Sequence, residues 1–130
     1  MNNQISKFLL SNGFSLIESV NYDEVNYKLI FSNYIYNIEL YNEREILSVQ
    51  LSNFTDRKNW IDINLIRYYI LKDMEIDSLM QIDDIIVFLK DYQDEISAIF
   101  LEGAYSNTCK ETLELRRKRI LLKHPNIFKK

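Results

Sequence analysis

Between Tyr27 and Ser52 apolar and polar residues alternate in three successive runs, and this period of two limits what the chain can become. Tyr27, Leu29 and Phe31 alternate with Lys28 and Ser32. Tyr36, Ile38 and Leu40 alternate with Asn37 and Glu39. Leu47, Val49 and Leu51 alternate with Ser48, Gln50 and Ser52. Successive side chains of a strand point to opposite faces, so each run has one apolar and one polar side. The breaks at Ser32-Asn33 and Asn42-Glu43-Arg44 are too short for a crossover, which leaves antiparallel neighbours. Phe14 to Val20 reads as a preceding strand and Asn21 to Glu24 as a turn. An apolar sheet face must be covered, and helices elsewhere in the chain have to supply the cover. The expectation is an α+β fold: an antiparallel β-meander of about four strands, one face covered by helices, and a helical C-terminal half.

The helical signals flank this core. Asn3 to Asn12 places Ile5, Phe8 and Leu9 on one side, and Gly13 is set to cap the end. After a polar loop at Asn53 to Asn59 comes Trp60. Asp62 can cap a helix reaching about Lys72, with Leu65, Ile66, Tyr69 and Ile70 inward. The β-branched content of Ile61 to Ile70 equally allows a strand. Asp77 or Ser78 opens the longest helix, over about residues 79–102, closed by Gly103. Its inner face is Ile82, Ile85, Leu89, Tyr92, Ile96, Ile99 and Phe100. Its outer face is Asp83, Asp84, Asp91, Asp94, Glu95 and Glu102. A last helix runs from about Thr108 to Lys123 and stops before Pro125. Asn107 or Thr108 starts it, and Thr108 with Glu111 has capping-box spacing.

The 130 residues fit one domain spanning 1–130, with 108–130 as a basic C-terminal helix and tail. Apolar residues make up 47% of the chain, ample for a core. The N-terminus has no signal-peptide pattern, no run reaches the ~20 apolar residues of a membrane span, and the lone Cys109 excludes an intrachain disulfide. A cytoplasmic protein without membrane contact is expected. The net charge of −3 conceals a division. Residues 1–109 carry 8 Lys and Arg against 17 Asp and Glu, or −9, and residues 110–130 carry 8 against 2, or +6. Such an asymmetry predicts electrostatic contact within the molecule or with a partner.

Catalytic signals are sparse. One Cys and one His, Cys109 and His124, lie about 22 Å apart on a continuous helix at about 1.5 Å per residue, too far for a dyad. Cys and His are too few for a transition-metal site, and two glycines cannot make a phosphate loop. Carboxylates are the only abundant candidates. Asp83, Asp84, Asp91, Asp94 and Glu95 can be a solvated helix face, a hard-ion or acid–base site, or a contact surface for a cationic partner. Tyr34 and Tyr41 can stand on the polar sheet face with Ile35 and Ile46, either as interface residues or as filler. In the tail, Arg116, Arg117, Lys118, Arg119 and Lys123 suggest nucleic-acid contact. Four successive residues circle a helix, though, and an acidic body repels phosphate. Cys109, Leu113, Ile120 and Ile127 form one apolar stripe and Leu115 with Leu122 another. One stripe is expected on the body and the other on the same body or a second subunit.

Leu9-Leu10-Ser11-Asn12-Gly13-Phe14, then Phe31-Ser32-Asn33 turning into Tyr36-Asn37-Ile38-Glu39-Leu40, then Asn42-Glu43-Arg44 leading to Leu47-Ser48-Val49-Gln50-Leu51, and Trp60 before a helix, form a layout that resembles small bacterial immunity proteins of polymorphic toxin systems. The likeness covers about residues 5–100, rests on hydrophobic patterning, and leaves the basic final helix unmatched. It implies a non-catalytic protein that binds and occludes a cognate toxin, with no cofactor and no metal. An acidic body suits a cationic toxin, and the expected contact residues are Asp83, Asp84, Asp91, Asp94 and Glu95, with Glu39, Tyr41 and Glu43 from the sheet. The alternatives are a homodimeric structural protein and nucleic-acid binding through the tail. No enzymatic activity is expected.

Overall fold

The computed structural model describes residues 3–72, 80–101, 110–111, 113–118 and 121. The expected helix-start signals at Asp77, Ser78, Asn107 and Thr108, the cap at Gly103, and Glu102, Cys109, Arg119, Ile120, Leu122, Lys123, His124 and Ile127 lie outside these residues.

The chain folds as an α+β structure around an open antiparallel sheet. In chain order the elements are α1 (Asn3–Ser11), β1 (Ser15–Asn21), β2 (Tyr27–Ser32), β3 (Tyr36–Glu43), β4 (Ile46–Asn53), β5 (Ile61–Asp62), α2 (Ile63–Leu71), α3 (Ile82–Asp91) and α4 (Gln93–Phe100). The strands lie side by side in sequence order, each antiparallel to the next. This is the expected meander with one more strand, since Ile61 and Asp62 pair with Leu51 and Gln50. The ambiguity of residues 61–70 resolves into both readings: two residues of strand and then helix. Helical residues appear again at 110–111, 113–118 and 121.

Local chemistry sets each boundary. In α1, Ile5 and Leu9 are buried one turn apart. Gly13 ends the helix with φ +85°, and the N–H groups of Asn12 and Phe14 both donate to the Leu9 carbonyl at 3.0 Å. The β1–β2 turn closes on Asp23, whose Oδ1 accepts from the N–H of Val25 at 2.9 Å and of Asn26 at 2.8 Å. Asn33 does the same for Ile35 and Tyr36 at the β2–β3 turn. Asp62 caps α2 by accepting from the Asn64 N–H at 2.7 Å, and Lys72 ends it with φ 59°.

The β3–β4 connection differs from expectation. Strand β3 continues to Glu43, which pairs with Ile46, so the loop is only Arg44 and Glu45. Both adopt positive φ, 52° and 66°. This is the tight hairpin that glycine or asparagine ordinarily occupies, built here from two residues with full side chains.

The longest helix is also not continuous. It begins at Ile82, with Gln81 as N-cap and Asp84 Oδ2 accepting from the Gln81 N–H at 3.2 Å. It breaks at Tyr92 (φ −114°, ψ 25°) and ends at Phe100, ahead of Gly103. The apolar stripe runs unbroken through the bend: Ile85, Phe88 and Leu89, then Ile96, Ile99 and Phe100, are all buried. The bend keeps both halves on the core. Phe100 stacks on Tyr36 with ring centroids 5.6 Å apart, and its carbonyl accepts from Asn53 Nδ2 at 2.7 Å.

The core lies between the helices and the sheet face formed by Tyr27, Leu29, Phe31, Tyr36, Ile38, Leu40, Val49 and Leu51. The opposite face divides in two. At one end Ile30, Ser32, Asn37 and Ser52 are buried. Asn37 Nδ2 donates to Ser52 Oγ at 3.2 Å and to the Asn53 carbonyl at 3.1 Å, and it approaches the Phe54 carbonyl at 3.4 Å. Arg57 reaches Glu18 of β1 at 3.7 Å. The loop at 54–60 therefore crosses this face from β4 toward β1, and the expected bare polar face is bare only over its other half.

Candidate functional site

The eight residues expected to meet a partner do not form one surface. Glu39, Tyr41 and Glu43 stand on the outer face of β3. Asp83, Asp84, Asp91, Asp94 and Glu95 are exposed on α3 and α4, on the far side of the helix layer. The sheet and the core separate the two groups.

Tyr41 and Glu43 occupy the bare half, and half-buried Glu39 lies at its boundary beside buried Ile30. Strand parity puts Lys28, Tyr41 and Ser48 in one cross-strand row and Ile30, Glu39 and Gln50 in the next. Tyr22 rises at the rim and its ring lies 6.1 Å from that of Tyr41. Ile46, next to Glu43 across β3 and β4, is 70% exposed, and Tyr22 is 55% exposed. The two hairpin tips at this end are laced together: Asn42 Nδ2 donates to the Val25 carbonyl at 2.6 Å, and the Arg44 N–H donates to Asn26 Oδ1 at 2.8 Å. The patch thus sits on a braced platform.

Its electrostatics follow from position. Lys28 pairs with Glu18 at 3.2 Å, and that hydrogen bond holds the ammonium pKa above its ordinary value. Burial raises the pKa of the Glu39 carboxyl; Lys28 opposes the rise and Glu18 adds to it. The Tyr41 phenol is raised by desolvation and by the Glu43 carboxylate, with which it also hydrogen-bonds. With Lys28 paired to Glu18, the carboxylates of Glu39 and Glu43 set the sign of the patch. Tyr34 is not part of it. It stands at the opposite end of the sheet, edge-on to Phe54 at 5.4 Å, and Ile35 packs against the core.

The helix group is less uniform than its charges suggest. Asp84 is engaged at home: it closes the Gln81 capping box and acts on Arg67, a buried residue of α2. Burial lowers the Arg67 pKa and the Asp84 carboxylate opposes that shift. Asp83, Asp91, Asp94 and Glu95 stay on the surface with Lys90 among them. No group of three or more His, Cys, Asp or Glu residues among the described ones can hold a metal ion. No helix among them is long and apolar enough to cross a membrane.

In the C-terminal segment Arg116, Arg117 and Lys118 are exposed. Consecutive helical positions turn by roughly 100°, so these three fan around the axis. Leu115 packs against the core cluster while Leu113 is 62% exposed. Beside Leu115 an open cavity of about 330 Å³ is lined by Tyr68, Tyr69, Lys72, Glu111 and Glu114. The Lys72 ammonium lies 5.7 Å from the centre of the Tyr69 ring, which occupies that ring's face.

Sequence reasoning passed over Tyr22, assigned only to a turn, and Val87. The signal for Val87 was present. It lies off the Ile85, Phe88 and Leu89 stripe in helical phase, and it is 55% exposed. Comparison with known proteins finds no family description that matches the chain, no matching curated protein and no matching solved structure.

Proposed function

We propose that this protein is a non-catalytic binding module that holds a cationic protein partner on the bare half of its outer sheet face. One observation carries the reading. Exposed Tyr22 and Ile46 with half-buried Tyr41 form an aromatic and aliphatic patch on the outer sheet face, beside the carboxylates of Glu39 and Glu43. Amphipathic rings give contact area at low entropic cost, and tyrosine is enriched at interfaces for that reason. Neighbouring carboxylates favour a basic partner and speed its approach.

The resemblance to immunity proteins names the kind of partner: a cationic toxin whose active surface the module occludes. The test is co-purification with the product of the adjacent gene. Retention of that product on tagged wild-type protein, and its loss with Tyr41→Arg, supports the proposal. An adjacent product that does not bind removes the immunity reading.

A further inference from the structure

Strand β1 lies at one end of the sheet, so it has a neighbour on one side only. The Tyr22 N–H donates to the Asn26 carbonyl at 2.9 Å, which fixes the phase of the β1–β2 ladder. Bonded positions alternate from there, so Val20 and Glu18 bond to Lys28 and Ile30 of β2. The N–H and C=O groups of Ser19 and Asn21 therefore point away from the sheet, and both residues are exposed. No hydrogen bond from another described residue reaches them. The bulge between Leu16 and Glu18 interrupts the first half of the strand and leaves residues 18–22 as a regular open edge. Sheets blunt such edges with charge or proline. The one charge on this stretch, Glu18, is already spent on Lys28 at 3.2 Å and Arg57 at 3.7 Å.

The edge is complementary to itself. An antiparallel pairing about a two-fold axis at Val20 sets Ser19 of each chain opposite Asn21 of the other. These are the positions with outward backbone groups, so each pair exchanges its N–H···O bonds. Strand parity puts Glu18, Val20 and Tyr22 on the outer face. In this register Val20 meets Val20, and Glu18 faces Tyr22. Centring the axis on Glu18 instead opposes two carboxylates. Charge fits as well. The register carries the β1–β2 turn of one chain, with exposed Asp23 and Glu24, past Ile17 and Leu16 of the other. Arg57 reaches β1 next to that place, and Lys58 follows it on the same loop, exposed like Glu24. Lys28, Arg57 and Lys58 thus balance Glu18, Asp23 and Glu24 along the seam, although the body as a whole is acidic.

We propose that a second copy of this chain pairs along β1, joining two five-stranded sheets edge to edge into one continuous antiparallel sheet. The two outer faces then form a single surface, with a Tyr41 on each side of the seam. The dimer needs no other protein, so it stands or falls separately from the partner proposed above.

Sedimentation velocity on the full chain tests it. The expected result is a concentration-dependent dimer. Ser19→Pro removes an outward N–H and spares the bonded positions of the β1–β2 ladder, and it raises the dissociation constant by about tenfold or more. Glu24→Lys and Lys58→Glu each weaken the dimer, and combining them in one chain restores association. Circular dichroism checks that each variant keeps its fold. Amide exchange of the wild-type protein by NMR gives a second reading. The N–H groups of Ser19 and Asn21 become protected as concentration rises, while that of Val20 is protected throughout. A protein that stays monomeric at every concentration overturns the proposal. So does a dimer that leaves Ser19 and Asn21 unprotected, or one broken by Val87→Asp and not by the β1 substitution.

Discussion

Glu45 and Arg44 turn the β3–β4 hairpin at positive φ, where a Cβ costs roughly 1–2 kcal/mol per residue. Glu45→Gly is expected to stabilise the fold by about 1 kcal/mol, read as a higher urea midpoint with an unchanged slope. An unchanged or lower midpoint contradicts the strain. Asp23 acts in the other direction. Its carboxylate accepts from two backbone N–H groups and from the Asn26 side chain at 2.7 Å, and those bonds hold its pKa below the ordinary value. A lowered pKa in the folded state means stability that is fully present above the ordinary carboxyl pKa of about 4 and is lost as pH falls through the lower folded value. Asp23→Ala is therefore expected to destabilise the protein at neutral pH, with the gap to wild type closing in acid. A gap independent of pH in urea melts assigns the loss to something other than the carboxylate. These single-residue features were half legible. Asp in a turn is a familiar signal, but a two-residue hairpin without Gly or Asn carries none, so Asn42 and Glu43, which belong to β3, read as part of the break.

Among the elements, the loop at 54–60 has the largest consequence, because it decides which half of the sheet stays open. It is anchored on Asn37, a polar member of the alternating β3 run that is nevertheless buried. Asn37→Ala removes the anchor and leaves buried groups without their donor, at a cost of about 1–3 kcal/mol. Trp60, whose Nε1 donates to the Arg57 carbonyl at 2.8 Å, reports the loop by fluorescence. The expected outcome is a lower melting temperature together with a shifted Trp60 emission in the folded protein; unchanged emission places the anchor elsewhere. The strands and their order could be read from period two because one face is uniformly apolar. The loop cover could not, because it depends on long-range bonds from Asn37 and Arg57. The bend at Tyr92 was equally hidden: its apolar stripe keeps helical phase on both sides, and no Pro or Gly marks it. The helix versus strand ambiguity at 61–70 came from its β-branched residues, and Asp62 decides it by capping α2 at the point where β5 ends.

At the scale of the whole molecule, the sheet divides the expected contact residues between two sides. Period-two and period-3.6 patterns say which residues share a face of one element. They say nothing of how the faces of separate elements combine, and for that reason Glu39 and Asp91 were grouped together although the core lies between them. The resulting architecture has a patch of Tyr22, Tyr41 and Ile46 on one side and, on the other, a charged helix surface with Val87 exposed on it. Calorimetric titration of the adjacent gene's product into wild-type protein, Tyr41→Arg and Val87→Asp tests this division most directly. The account predicts that wild type and Val87→Asp bind with similar affinity, that Tyr41→Arg loses about tenfold or more, and that binding weakens with salt. Equal binding by all three proteins, or loss confined to Val87→Asp, contradicts it.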